Sequence, residues 1–220
     1  MSRKYNAQET IERVLNASLK LFKEKGFDKT SMQDIVDASG MSKGAIFYHF
    51  KSKEEIFAAA MDREFAAAKQ RFYTFISELK GETAKEKMKK LIVANFVDEE
   101  MHTAIYDMMN AGINSPHLVM TDMCKNVKEV APIVAELIKE GMADGSIVTD
   151  YPDELGEVFI LLYNHWSNTH PFRCDLPALR RRLKFLQHMM AKLSCDIITD
   201  EIIEYNMKLC EKYEAALKGD

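Results

Sequence analysis

The sequence predicts an all-α protein with a small N-terminal three-helix domain over residues 1–53 and a larger helical domain over residues 54–220. Apolar residues recur at helical spacing along most of the chain, and no segment shows the alternation typical of a β-strand. Glycine and proline residues separate the helical segments. A pair of short helices, each with a capping residue at its start, lies between residues 31 and 50.

The first predicted helix covers residues 8–25. Ile11, Leu15, Ser18 and Phe22 lie on one stripe of this helix, and Gly26 follows its last turn. We expect this stripe to support the two short helices that come next.

The two short helices carry clear start and stop signals. Ser31 is a good N-cap, and Asp34 follows it by three residues. Gly40 can end this helix in the left-handed conformation, and Ser42 repeats the capping chemistry for a helix that ends near Phe50. Two capped helices around a short turn form a helix-turn-helix, which we place at residues 31–50.

The second short helix carries side chains typical of a DNA-reading surface. Lys43, Gly44 and Ala45 form its first turn, where small residues permit close approach to a duplex. Because the apolar residues at positions 46 and 50 are expected to point inward, Phe47 and His49 should face outward. The alternative is that the aromatic residues are partly buried and the lysines merely solvated. The residues expected to contact DNA are Ser31, Gln33, Ser42, Lys43, Gly44, Ala45, Phe47, Tyr48, His49 and Lys53.

Residues 26–54 contain a set of glycine, hydroxyl, aromatic and charged residues at fixed spacing. They are Gly26, Phe27, Thr30, Ser31, Ala38, Gly40, Ser42, Lys43, Gly44, Tyr48, His49, Phe50, Lys51, Lys53 and Glu54. With these residues the region resembles the DNA-binding domain of the tetracycline-repressor (TetR) family of transcriptional regulators, and the TetR-type region extends over about residues 8–68. Gln33 and Phe47 depart from the family pattern, which more often has Arg and Tyr at these positions.

The resemblance implies a homodimeric transcriptional regulator, acting as a repressor, that binds a near-palindromic operator in double-stranded DNA. It also implies that the C-terminal domain binds a small-molecule inducer and forms the dimer. Ser31, Gln33, Tyr48 and Lys53 would then hold phosphates, while the exposed residues of the second short helix approach the bases. We expect no cofactor, no catalytic residue, no metal site and no membrane partner.

The charge is unevenly distributed along the chain. Residues 1–53 contain 10 Lys or Arg and 6 Asp or Glu, a net charge of +4, whereas residues 54–220 contain 20 and 28, a net charge of −8. A basic N-terminal domain favours contact with phosphates, and the acidic remainder would help to orient the protein on DNA.

The sequence also predicts the compartment. No apolar stretch approaches the ~18 residues needed to cross a bilayer, and the N-terminus lacks an apolar signal segment. Cys124, Cys174, Cys195 and Cys210 are spaced too widely for a Cys-x-x-Cys metal site and suit free thiols in a reducing compartment. We therefore expect a cytoplasmic protein.

The C-terminal domain is predicted to be a succession of helices. A long helix over residues 53–79 would connect it to the N-terminal domain, and a capping box formed by Thr83 and Glu86 begins the next helix. Further helices are expected at about residues 99–111, 116–143, 152–169, 175–195 and 199–217.

Residues 88–123 contain six of the 14 methionines. Methionine is flexible and polarizable, so such a cluster can line an adaptable cavity, although gap filling in the core explains each methionine singly. Together with the family resemblance, the cluster predicts a ligand site in the helical body. Its candidate residues are Phe96, Met101, Tyr106, Met109, Met120, Met123, Tyr163 and Trp166.

The helix that contains Trp166 and the helix that starts at Leu176 occupy the positions where TetR-like proteins form their dimer interface. Aromatic residues suit that role, and burial of Trp166 in the core is equally compatible with the sequence. Arg180, Arg181 and Arg182 are expected on a solvated face or in salt bridges across the dimer.

Three alternatives belong to other functional classes. A cysteine of the C-terminal domain could sense oxidants and so regulate DNA binding. His165, His170 and Cys174 could ligate zinc, but Pro171 interrupts their helical register and no fourth ligand is evident. The sequence does not support an enzymatic function, because it contains no phosphate-binding loop, no nucleophile elbow and no pair of carboxylates at a spacing typical of catalysis.

Overall fold

A computed structural model describes residues 7–97, 115–168, 172 and 174–218. The described residues form α-helices, two π-helical turns and short connections, which confirms the predicted all-α class. They separate into two compact units, residues 7–70 and residues 71–97 together with 115 onward. The predicted helix at residues 99–111 lies outside the described residues, as do Met101, Tyr106 and Met109.

The first unit contains α1 (Ala7–Lys25), α2 (Met32–Ser39), α3 (Lys43–His49) and the longer part of α4 (Lys53–Glu78). These bounds agree with the predicted helices to within one or two residues. The last turns of α4 belong to the second unit.

An aromatic cluster occupies the core of the first unit. The ring of Phe27 lies 5.2 Å from the ring of Phe22 and 5.2 Å from that of Phe57, measured between centroids. Phe22 and Phe57 are 5.8 Å apart, and all three side chains are buried. Tilted and edge-to-face pairs at these distances are favourable beyond the apolar area that they bury. The cluster therefore joins α1, the turn that follows it, and α4.

The second unit contains the remaining described helices. They are α5 (Ala84–Val97), α6 (Pro116–Lys125), α7 (Ala131–Asp144), α8 (Pro152–Leu161), α9 (Leu176–Lys192) and α10 (Asp200–Lys218). Their shared core includes Ile138, Leu179, Leu183, Leu186 and Met190, each fully buried. Within the described part of the chain, no helix is both long enough and apolar enough to span a bilayer.

Two π-helical turns interrupt the regular helices of this unit. Asn126–Val130 joins α6 to α7, and Leu162–Trp166 continues α8. The sequence predicted uninterrupted helices over 116–143 and 152–169, so the positions are confirmed but the regular α geometry at these turns is not. The spacing of apolar residues does not reveal a single π turn within an α-helix, because the turn adds only one residue to the helical repeat.

A glycine permits close approach of α8 to α7. A Cβ atom placed on Gly156 would lie 3.0 Å from the carbonyl oxygen of Ala131 and 3.2 Å from the backbone nitrogen of Ala135. Both of these atoms belong to backbone, which cannot move aside as the end of a flexible side chain can. The packing of these two helices therefore requires glycine at position 156.

Gly156→Ala should destabilise the second unit by about 1–3 kcal/mol, because the added methyl group forces α7 and α8 apart. The matched control is Gly44→Ala, since a Cβ on helical Gly44 would meet no atom within 4 Å. The control should leave the Tm unchanged or raise it slightly. Thermal unfolding measures both, and equal Tm values for the two variants would contradict the close approach of the helices.

Candidate functional site

The helix-turn-helix is formed by α2 and α3 with the predicted caps. Ser31 Oγ accepts a hydrogen bond from the backbone N–H of Asp34 at 3.1 Å, and Asp34 Oδ2 accepts from the N–H of Ser31 at 2.7 Å. This reciprocal pair is a capping box. Gly40 ends α2 with φ of 65°, in the left-handed region. The predicted start and end of α2 are therefore confirmed.

Two polar contacts attach α2 to α1. Lys25 Nζ lies 2.7 Å from Asp34 Oδ2, and Arg13 Nη2 donates to the carbonyl oxygen of Ser39 at 3.2 Å. The Lys25 ammonium, followed by the hydrogen bonds from Ser31, holds the pKa of Asp34 well below its ordinary value of 3.8. These contacts position both ends of α2 on α1, which supports the angle at which α3 is presented.

The helix α3 buries one face and exposes the other. Ser42 Oγ accepts a hydrogen bond from the N–H of Ala45 at 3.2 Å and so caps the helix. Ile46 is fully buried, and Phe50 is 8% exposed. The predicted inward face is therefore confirmed, and the opposite face of this short helix lies at the surface.

Phe47 and His49 are less exposed than the outward orientation that we expected for them. Tyr48 is 74% exposed, whereas Phe47 and His49 are half-buried. The rings of Tyr48 and His49 meet edge to face at 5.0 Å, and Lys43 Nζ lies 5.7 Å from the Phe47 ring centroid. Tyr48 is thus the aromatic side chain of α3 that is most available to another molecule.

The first turn of α3 is open to close approach. Lys43 and Gly44 are exposed and Ala45 is half-buried. A Cβ on Gly44 would contact nothing within 4 Å, and its backbone is not in the left-handed region that favours glycine. Glycine within a helix costs about 0.5–1 kcal/mol relative to alanine. Neither a lack of space nor a left-handed backbone therefore explains why position 44 is glycine rather than the more favourable alanine.

The lysines after α3 are engaged with the protein backbone. Lys51 Nζ donates to the carbonyl oxygen of Phe47 at 2.7 Å. Lys53 Nζ donates to the carbonyl oxygens of Phe27, Asp28 and Thr30 at 3.0, 3.3 and 3.1 Å. The same ammonium lies 4.4 Å from the centroid of the Phe27 ring. Lys53 therefore holds the turn after α1, and its expected phosphate contact stays a prediction.

Three other residues expected to contact DNA also have partners within the chain. Gln33 Nε2 donates to Asp37 Oδ1 at 2.9 Å, while Ser31 and Ser42 use their hydroxyl groups as caps. All three side chains are exposed, so their roles toward DNA stay predictions.

The described candidates for the ligand site all belong to the second unit. The Phe96 ring stacks on the Tyr205 ring at 6.2 Å, Met123 is half-buried, and Met120 is 59% exposed. The hydroxyl oxygen of Tyr163 is buried, and this burial raises the pKa of Tyr163 above its ordinary value. Phe96 and Tyr163 both pack against the main apolar core of this unit, and the role of these side chains in ligand binding stays a prediction.

Trp166 lies against α9. Its ring meets the ring of Phe185 at 5.9 Å, and the Arg182 guanidinium lies 5.4 Å from its centroid. Arg182 also donates to the carbonyl oxygens of Trp166 and Phe172, at 2.9 and 2.7 Å. Arg180 pairs with Glu204 of the same chain. Arg180 and Arg182 thus have partners within the chain, and their expected place on a solvated face or in salt bridges across the dimer stays a prediction.

No motif in the sequence singled out Asp122, and His165 stood out only as a candidate zinc ligand. Asp122 Oδ2 and His165 Nδ1 lie 3.8 Å apart in the core of the second unit, where both side chains are almost fully buried. Burial raises the pKa of Asp122 to about 7 and lowers the pKa of His165 to about 4. The two residues are 43 positions apart. No local signal in the sequence could have paired them.

The candidate zinc ligands and the cysteines do not form a metal site in the part of the chain that the structure describes. Among the described residues, no three His, Cys, Asp or Glu side chains come together as a metal site, and His170 lies outside that part of the chain. None of the four cysteines forms a disulfide bond. Burial raises the pKa of Cys195 to about 12, which disfavours its reactive thiolate. Cys210 is also buried, so the redox alternative depends on Cys124 and Cys174.

Known regulators resemble this chain in sequence. The family model described as "Bacterial regulatory proteins, tetR family" matches residues 14–60. YerO, an uncharacterized HTH-type transcriptional regulator of Bacillus subtilis, is 37% identical over 94 residues, which are 43% of this chain and only 32% of YerO. The HTH-type transcriptional regulator UidR of Escherichia coli is 29% identical over 193 residues, covering 85% of this chain and 92% of UidR.

Solved structures share the fold over most of the chain. The reduced form of E. coli NemR superposes with a TM-score of 0.60 at 18% identity, covering 86% of this chain and 97% of NemR. At this identity the likeness establishes the fold and carries no further detail. The observed helix-turn-helix, the matching sequences and the shared fold all indicate the same family of helix-turn-helix transcriptional regulators.

Lys53→Ala should lower the stability of the first unit by about 1–2 kcal/mol, because three carbonyl oxygens lose a charged donor. Lys51→Ala is the control, since Lys51 Nζ donates to one exposed carbonyl and should change stability little. Thermal unfolding and a salt titration of DNA binding are measured on the same preparations. Unchanged stability together with a salt slope reduced by about one would instead make Lys53 a phosphate contact.

Proposed function

Since the chain belongs to the TetR family of DNA-binding transcriptional regulators and is not an enzyme, we propose that it is a homodimeric repressor released from a near-palindromic operator by a small molecule. The observation that carries this proposal is the first turn of α3. It presents exposed Lys43 and an open Gly44 beside exposed Tyr48. A helix with these properties can enter the major groove of DNA.

The side chains of α3 have distinct proposed roles. Lys43 reaches base edges as a hydrogen-bond donor, and Gly44 lets the backbone approach the duplex closely. Tyr48 and the hydroxyl groups of Ser31 and Ser42 contact phosphates, which set register and affinity but not sequence. Phe47 and His49, being half-buried, contribute the edges of their rings rather than whole faces.

Electrostatics support a DNA-binding role for the N-terminal domain. The net charge of +4 over residues 1–53 contrasts with −8 over the remainder. Because contact with phosphates releases counterions, the affinity of such a domain falls steeply as salt rises. We propose residues 1–53 as the DNA-binding domain and residues 54–220 as the ligand-binding and dimerisation domain.

The proposed dimer uses α8 and α9. Val158 on α8 is 42% exposed and Phe185 on α9 is 56% exposed, while Phe172 between these helices is 47% exposed. Large apolar side chains exposed on neighbouring helices are typical of surfaces that a partner covers. A two-fold symmetric dimer presents two copies of α3, so its operator must contain two inverted half-sites.

The proposed inducer acts through the second unit. A ligand shifts the DNA-binding equilibrium only if it binds the two states of the protein with unequal affinity. The helix α4 contributes residues to both units, so we propose that it transmits the change to the DNA-binding helices.

Selection of bound DNA from a random pool tests the function directly. We expect enriched sequences with two inverted half-sites whose centres are about 10 base pairs, or a multiple of that, apart. Lys43→Ala should relax the preference at one position in each half-site, at a cost of about 1–3 kcal/mol. A failure to enrich any sequence in low salt would overturn the proposal.

Gly44→Ala should weaken operator binding about tenfold or more while leaving the Tm unchanged or slightly higher. The physical reason is that the added methyl group meets nothing within the chain and can clash only with a partner. Fluorescence anisotropy with a labelled operator measures affinity, and thermal unfolding serves as the control. Wild-type affinity in this variant would show that α3 does not approach DNA at its first turn.

A further inference from the structure

Four polar side chains form a cluster inside the second unit, here called the buried polar cluster. Its members are Asp122, Asn126, Asn164 and His165. Asp122 and His165 are 4% and 2% exposed. An ionisable pair at this depth costs free energy unless it is fully hydrogen-bonded.

The ionisable members of the buried polar cluster are not hydrogen-bonded. Asp122 Oδ1 and both ring nitrogens of His165 are buried and have no partner among the described residues. The approach between Asp122 Oδ2 and His165 Nδ1, 3.8 Å, is too long for a hydrogen bond. Most buried polar groups in proteins are paired, so three such atoms on two adjoining side chains require an explanation.

The two amides of the cluster are paired, in contrast to the ionisable groups. Asn164 Nδ2 donates to Asn126 Oδ1 at 2.8 Å, and Asn126 Nδ2 donates to the carbonyl oxygen of Asp122 at 3.0 Å. These bonds connect the end of α6 to the π turn that follows α8. The framework around Asp122 and His165 is therefore well ordered, and poor packing does not explain their unpaired atoms.

Both π turns of the second unit contribute to the cluster. Asn126 begins the first π turn, and Asn164 and His165 lie in the second. A π turn is rare, because it replaces regular hydrogen bonds with less favourable ones, and such turns often occur at functional sites. Two of them, joined by a side-chain hydrogen bond at an unpaired ionisable pair, favour a binding site over a structural accident.

The charge balance indicates which ligand suits the site. The cluster contains one carboxyl group and an uncharged imidazole whose pKa burial lowers to about 4. Lys125 lies nearby in sequence, but its ammonium is 3.7 Å from Glu129. A cation with N–H donors would neutralise the carboxylate, whereas an anion would meet a like charge.

We propose that the buried polar cluster binds the protonated amino group of a small organic amine. Asp122 supplies the opposite charge, and the unprotonated ring nitrogen of His165 accepts a second N–H donor. When Asp122 holds a proton before binding, that proton passes to solvent as the carboxylate forms. This inference rests on the proposed function, in which the second unit binds the inducer, and it specifies the chemical class of that ligand.

Three probes of matched shape test the class of ligand. They are 4-phenylbutylamine, 4-phenylbutan-1-ol and 4-phenylbutanoate, which present a cation, a neutral group and an anion on the same scaffold. Calorimetric titration of the full-length protein should give a Kd for the amine about tenfold or more below that for the alcohol. The anion should show no binding. Equal binding of amine and alcohol, preferred binding of the anion, or no binding of the amine overturns the proposal.

Asp122→Asn identifies the residue responsible. The amide preserves shape but cannot carry charge, so the preference for the amine over the alcohol should disappear. The Tm without probe should stay the same or rise, because an unpaired ionisable group is removed from the core. Asp150→Asn, at an exposed position, is the control for the loss of one negative charge and should retain the preference. Retention of the preference by Asp122→Asn, or a marked fall in its Tm, refutes the assignment.

DNA binding separates this inference from the proposed function. Wild type and Asp122→Asn should bind the selected operator equally in the absence of probe, since the cluster lies in the second unit. If both bind DNA but the amine is not preferred, the ligand class is wrong and the regulator function stands. If neither binds any DNA, the proposed function fails whatever the calorimetry shows.

Discussion

The aromatic cluster of Phe22, Phe27 and Phe57 is the interaction on which the DNA-binding unit depends. It joins α1 to α4 and fixes the turn after α1, and Lys53 reinforces that turn from the face of the Phe27 ring. The short helices α2 and α3 are too short to be stable alone. Their orientation is therefore supported by the two long helices, and the exposed first turn of α3 is a consequence of that packing.

The second unit combines a conventional apolar core with one costly exception. Aliphatic side chains of α7, α8, α9 and α10 fill the core and leave most polar groups at the surface. The buried polar cluster is the exception, since Asp122 and His165 lose hydration without gaining hydrogen bonds. Proteins retain such unfavourable groups mainly at functional sites, where stability is lower in exchange for binding.

Local sequence signals predicted the helix-turn-helix and its caps. Ser31 with Asp34 and Gly40 with Ser42 act within one or two helix turns, so their roles could be read without knowing the fold. The partners of Lys53 lie 23 to 26 residues away and could not be predicted in that way. The same limit explains why Phe47 and His49 were expected to be more exposed than they are, because neighbouring helices determine their burial.

By itself, the sequence determined the helical class, the approximate ends of the described helices and the position of the helix-turn-helix. Each of these depends on periodicity or on a cap, and both are properties of a few adjacent residues. Only the tertiary structure decided which polar groups are paired, where the π turns occur and that Asp122 meets His165. Such features depend on contacts between segments that are remote in sequence and on burial, and both exist only in the folded chain.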